Sequence, residues 1–409
     1  MTPAHQRVVA VDVVRGLAMV VMVLDHTRDF AHAESFLFDP TDPEQTTPAI
    51  FLTRWITHFV APIFVLLAGV SARLQVDHGR SRREIARFLV LRGLLLVLLE
   101  FTVVRVGIWF NVDPTFLGML QVIWVLGISM VMLAGLVFLP DLAIAGAGVA
   151  LIVGHNLFDD VTPAPGLEAL WSILHMPDNL AIVSAGQPDL LVLYPLVPWV
   201  GVIAVGYALG RLYELGAVPR RRLLIGVGLA TTVGWLVIRT ANGYGDPAPW
   251  RPFADPVRTV MSFLAAEKYP PSLAFLAMTL GPTLVLLGLL DGAAGDTGTG
   301  TRHGGGAAGR ILSPLGRGLA TLGAVPLFFY LLQWYVAHGL SLAAEVIAGQ
   351  DVAWHFLAPP ERFFSIPPDA GFPLPMVYLL WLTGIAILYP VCRRYAAARR
   401  TRGGILRYL

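Results

Sequence analysis

Long apolar runs, each close to the length of a bilayer crossing, fill most of this chain. They fall near residues 8–30, 48–73, 87–107, 115–138, 141–157, 189–212, 222–240, 271–291, 319–345 and 375–394. Roughly 20 helical residues cross the hydrocarbon core, so the pattern predicts an all-α polytopic membrane bundle of about ten transmembrane helices. Arginines gather in the links after the second, sixth, eighth and tenth runs: Arg80 to Arg83, Arg220 to Arg222, Arg302 with Arg310, and Arg393 to Arg402. The alternate links are acidic or neutral, at Asp39 to Glu44, Asp159-Asp160 and Asp246 to Asp255. Short cytoplasmic loops carry the excess of basic residues, which predicts that both termini are cytoplasmic. Residues 292–310, with glycines from Gly292 to Gly309, read as a flexible cytoplasmic linker inside one transmembrane domain spanning 1–409. Longer outer links at 157–188, 241–270 and 346–374 suit the covering of an outward-facing mouth. No internal repeat stands out, so the inverted-repeat signature of many transporters is absent.

The first two runs break the apolar pattern with ionisable residues, and an ionisable group at membrane depth is a functional-site hypothesis by default. On the first helix Asp12, Arg15, Met19, Met22, His26 and Asp29 step by three or four and form one stripe. Arg15 and His26 lie eleven residues apart, which at 1.5 Å per residue separates them by about 16 Å along one face. The second run answers with Arg54 and His58 as an i,i+4 pair near its outer end, followed by Pro62 and the small pair Ala68-Gly69.

Composition agrees with the pattern. The 409 residues are 56% hydrophobic and 14% charged, with a mean hydropathy of +0.68, which excludes a soluble globular domain. The net charge of +2 and the lack of a long basic run speak against a nucleic-acid partner. Cys392 is the sole cysteine, which excludes an internal disulfide and Cys-based metal sites. No cleavable signal pattern precedes Asp12 and Arg15, so the first helix is expected to remain in the mature protein.

Each polar group has a plainer alternative. His26 at a helix end can be solvated among lipid headgroups, Arg54 can pin two helices by pairing with Asp25 or Asp29, and Arg15 can snorkel. The functional alternative makes His26 a base oriented by Asp25 or Asp29, and gives Arg15 a phosphate with Asp12 as its partner in the empty state. A metal held by His26, His58 and an aspartate has no local ligand spacing to support it, so no metal is expected. Glu100, Arg105, Gln121, Trp124, Gln333 and His338 read as interhelical glue. Lys268 opens the eighth run at its outer face, His32 reads as a solvated loop residue, and His155, His175 and His355 suggest no role.

Asp12-Val-Val-Arg15-Gly16-Leu17-Ala18, with a histidine eleven residues after the arginine, resembles the first helix of the family-3 membrane acyltransferases. A closer resemblance is to bacterial relatives of the heparan-α-glucosaminide N-acetyltransferase catalytic domain. It is carried by Asp25-His-Thr-Arg-Asp-Phe30, Arg54 to Pro62, Leu67-Ala68-Gly69, Lys268-Tyr-Pro-Pro-Ser272 and Val325 to Tyr330. The lysosomal branch of that family has asparagine at the position of His26 and its catalytic histidine further along the following loop. Nothing around His32 matches that second position, so the base is left open between His26 and His58. The resemblance implies an acetyl-CoA-dependent acyltransferase of the bacterial cytoplasmic membrane, taking its donor from the cytoplasm and a sugar or glycan acceptor from outside. Arg15 would hold the CoA phosphates, His26 would be the base, and His58 or Arg54 would stabilise the oxyanion. A ternary complex and an acetyl-imidazole intermediate both satisfy this scheme, and a homodimer is compatible with it. The rival class is a proton-coupled transporter using the same Asp/Arg/His stripe as a relay.

Overall fold

Hydrocarbon offers backbone groups no hydrogen bonds, so apolar runs of this length close into helices. The computed structural model describes residues 8–35, 37–77, 79–175, 182–183, 189–295, 314–359 and 361–401. The expected 292–310 linker lies, from residue 296 onward, outside the described residues. In chain order the elements are α1 (Val9–Ala31), α2 (Pro48–Thr57), α3 (Val60–Asp77) and α4 (Arg82–Leu99). A π-helical turn, Glu100–Val104, joins α4 to α5 (Arg105–Trp109), followed by β1 (Phe116–Leu120), α6 (Val122–Leu136), α7 (Asp141–Gly154) and α8 (Glu168–Leu174). Then come β2 (Ile182–Val183), β3 (Asp189–Val192), α9 (Leu196–Gly210), α10 (Ala217–Ala241), α11 (Pro256–Leu264) and α12 (Leu273–Gly295). The chain closes with α13 (Pro314–Gly323), α14 (Pro326–Ala348), α15 (Glu361–Phe364) and α16 (Leu374–Thr401). Among the described residues, seven helices are long and apolar enough to cross a membrane. The chain is an all-α polytopic membrane protein.

Small residues set the packing, because helices in lipid associate through close van der Waals contact. A Cβ on Gly16 would lie 2.0 Å from the carbonyl oxygen of Leu319, and one on Gly323 would lie 1.9 Å from that of Asp12, so α1 and α13 touch backbone to backbone. The crossing of α3 with α9 is equally tight, with Gly69 against Ile203 and Gly206 against Leu66. These contacts fix α1, which carries Asp12, Arg15, Asp25, His26, Arg28 and Asp29, and α3, which begins just after His58.

Two expectations are corrected. The run at 115–138 is not helical throughout: Phe116–Leu120 is a strand that pairs parallel with β3, which pairs antiparallel with β2. Arg105 bends the chain there by donating to the carbonyls of Asp113 and Phe116, and Gly118 supplies a φ of +142°. Arg54 and His58 do not share one continuous helix, because α2 ends at Thr57 and α3 starts at Val60. Pro62 has no N–H to give the carbonyl four residues earlier, that of His58, so the ladder breaks there.

The connections at the His26 end of α1 interlock. His32 bridges to Phe372, Arg258 reaches the carbonyl of Glu44, Asn111 that of Phe356, and Asn156 receives the Leu273 N–H. A cover of loops therefore sits over that end of the bundle.

Candidate functional site

Asp25 is the hub. Its two oxygens accept from Arg54 Nη1 at 2.6 Å each, and Oδ1 also accepts from Thr57 Oγ1 at 2.9 Å. Arg28 approaches the same oxygen at 3.5 Å and binds Asp29 at 2.5 Å. The pinning pair anticipated for Arg54 is thus made, with Asp25. Since His26 follows Asp25 and His58 follows Thr57, the Asp25–Thr57 bond draws the two histidine-bearing segments together.

Neither carboxylate hydrogen-bonds His26, contrary to expectation. Successive helical side chains diverge by about 100°, so Asp25 turns to α2 while His26 turns to α14. Asp29 is drawn off by Arg28. His26 Nδ1 instead meets Gln333 Oε1 at 2.8 Å, and its ring stacks on Trp334 with centroids 3.6 Å apart. With the carboxamide oxygen facing the ring, Nδ1 is the donor and Nε2 keeps its lone pair. His58 is buried at the α2–α3 break against the edge of Phe275, and its Nδ1 has no partner.

Outward of Asp25 lies a cavity of about 240 Å³. Arg54, His58, Lys268 and Tyr269 line it, together with Glu267 and the loop residues Asp39, Asp42 and Arg251; its lining does not include His26. Tyr269 receives a long hydrogen bond from Arg54 Nη2 at 3.4 Å. Burial alone would raise its phenol, but the Lys268 ammonium and the Arg54 guanidinium outweigh burial and hold it below the ordinary value. A cluster of three or more His, Cys, Asp or Glu able to hold a metal is absent among the described residues.

Arg15 stands at the opposite end of α1. It donates to Asp12 at 3.3 Å, to Ser71 Oγ at 2.8 Å and to the carbonyl of Gly323 at 3.2 Å. Arg399 donates to the next carbonyl, Ala324, at 3.0 Å, and the charges of Arg399 and Arg15 both act on Arg92. Three guanidiniums, from α1, α4 and α16, therefore gather at this end.

Sequence reasoning missed three features here. Arg28 lay inside a quoted motif but drew no role. Gln333 was read as glue and is the partner of His26. A buried chain runs from Glu345 Oε2 to His355 Nε2 at 2.7 Å, and from His355 Nδ1 to His338 Nε2 at 2.9 Å, ending on the Gly107 carbonyl. The i,i+7 spacing of His338 and Glu345 on α14 hinted at that chain, but His355 comes from a loop.

A family model described as heparan-alpha-glucosaminide N-acetyltransferase, catalytic, matches residues 7–237, more than half of the chain. The matched region holds α1 to α9 and most of α10, and so Arg15, Asp25, His26, Arg54 and His58. No curated protein matches the chain.

Proposed function

Because the chain belongs to the heparan-alpha-glucosaminide N-acetyltransferase catalytic family, we propose that it transfers an acetyl group from cytoplasmic acetyl-CoA to a sugar or glycan on the other side of the membrane. The family makes it a membrane transferase. One observation carries the finer reading: α1 bears a guanidinium suited to phosphate at one end and an amide-oriented imidazole at the other, about 16 Å away. That distance is of the order of a pantetheine arm. Arg15, with Arg92 and Arg399 beside it, suits the phosphates of CoA, since a guanidinium fork matches phosphate oxygens.

In the reaction, His26 Nε2 takes the proton of the acceptor hydroxyl or amine, and the acceptor attacks the thioester carbon. Gln333 holds the Nδ1–H tautomer that leaves Nε2 free. His58 suits donation to the carbonyl oxygen, because it lines the cavity and its buried Nδ1 has no partner. Asp25 neutralises Arg54 and holds α1 to α2. The outer cavity, lined by His58 rather than His26, is smaller than a drug-sized site and suits entry of the end of a glycan chain rather than a long stretch of it.

Purified protein, labelled acetyl-CoA and crude envelope glycans test this. His26→Ala should lose transfer by about 10²–10⁴-fold while still binding CoA, and His58→Ala by about 10²–10³-fold. Wild-type transfer by His26→Ala together with abolition by His58→Ala would move the base to His58. Wild-type transfer by both variants would remove the histidine mechanism.

A further inference from the structure

We propose that Lys268 is a further catalytic residue, whose ammonium receives the negative charge that develops on the thioester carbonyl oxygen. The assignment rests on the acetyl-transfer reading above.

Lys268 is the chain's sole lysine and is 6% exposed. It lines the outer cavity beside His58 and Arg54. Of the buried arginines, Arg28, Arg73 and Arg239 each form an ion pair with Asp or Glu, and Arg362 donates instead to the carbonyls of Ile108 and His355. Lys268 forms no ion pair among the described residues; its side chain hydrogen-bonds that of Tyr269, its Nζ lies 5.0 Å from that ring's centroid, and its charge acts on Asp25. A buried ammonium with no ion pair is costly, and a cation lining a cavity is suited to meeting negative charge that develops there.

The loop that carries Lys268 is rigidly held. Arg239, 1% exposed, donates to the carbonyls of Ser262 at 2.8 Å, Phe263 at 3.0 Å and Ala265 at 2.9 Å, and pairs with Asp246 at 2.9 Å. Asp246 accepts the Glu267 N–H, and Glu267 turns back to take the Tyr269 N–H at 2.9 Å. A cation carried on a backbone held in this way needs little reorganisation when charge appears, which favours electrostatic catalysis.

The step balances as acyl transfer. The acceptor's lone pair forms a bond to the thioester carbon, and the carbonyl π electrons move to oxygen, opposite the Lys268 ammonium and the His58 N–H. His26 takes the acceptor's proton. Collapse re-forms the carbonyl and breaks the carbon–sulfur bond, and the thiolate of CoA leaves with the proton from His26.

The test uses the full chain in detergent with labelled acetyl-CoA and envelope glycans. Lys268→Met should lower kcat by about 10²–10³-fold with KM for acetyl-CoA nearly unchanged. Added methylammonium should restore part of that loss, and Lys268→Arg should fall between the two. If Lys268→Met is not recovered folded, Lys268→Gln carries the same comparison. A kcat within about threefold of wild type in the charge-free variant overturns the assignment. So does a loss that methylammonium leaves unmoved while Lys268→Arg is fully active, which marks a structural charge. Absence of transfer by the unsubstituted protein sinks the acetyl-transfer reading and this assignment with it.

Discussion

Gln333→Leu isolates the one contact that orients His26. Gln333 is fully buried, its Oε1 meets His26 Nδ1 at 2.8 Å, and its own Nε2 has no partner. Leucine fills a similar volume and removes that orphan donor, so the bundle should keep its thermal stability in detergent. What is lost is the hydrogen bond that holds the tautomer. A net bond is worth about 0.5–1.5 kcal/mol, which at 1.36 kcal/mol per decade is about 2- to 13-fold in rate. The stranded Nδ1–H carries a desolvation cost of about 1–3 kcal/mol, which lets the ring rotate or change tautomer and sets an upper limit near 10²-fold. The expected result is a kcat lowered between those limits with KM for acetyl-CoA unchanged, well short of the loss in His26→Ala. The assay is initial-rate transfer of label from acetyl-CoA, run as a double-mutant cycle. In the His26→Ala background Gln333→Leu should do nothing more, because there is no ring left to orient. Equal losses in both backgrounds, or a change confined to KM, would refute the orienting role.

Arg15→Lys should raise KM for acetyl-CoA by about tenfold and leave kcat nearly intact, since a point charge replaces a fork that reaches Ser71 and Gly323; a purely kcat effect would remove the phosphate role. Gly323→Val should cost more than about 4 kcal/mol, because its Cβ would lie 1.9 Å from the Asp12 carbonyl oxygen; a normal yield of monodisperse protein would show that α1 and α13 can separate. Burial and the Arg28 charge hold the His32 imidazole below its ordinary value, so the unfolded chain binds that proton more readily. Stability should therefore fall as pH drops through roughly 6.5, and thermal unfolding of His32→Asn should show a flatter pH dependence.

The sequence made the bundle legible because lipid enforces length: each helix of spanning size coincides with an apolar run, and Arg54 announced its pairing with Asp25. What it hid was tertiary. The partner of His26 lies 307 residues away on α14, and periodicity within α1 cannot reveal it. Phe116 to Leu120 read as the start of a helix because a short apolar run has no period of its own; pairing with β3 decided the matter. Lys268, read at the outer face, is buried because Arg239 ties its loop down. His355 joins Glu345 and His338 only when a loop folds back on α14.

The central claim is that acetyl crosses the membrane within the bundle, from the Arg15 end to the His26 end. Sealed proteoliposomes, sorted by orientation with a tag at one terminus, allow acetyl-CoA to be supplied on one side and envelope glycans on the other. The account expects labelled glycan when acetyl-CoA is on the side of the termini and the glycan opposite, with no labelled acetate accumulating free. Transfer only when donor and acceptor share one side would contradict it.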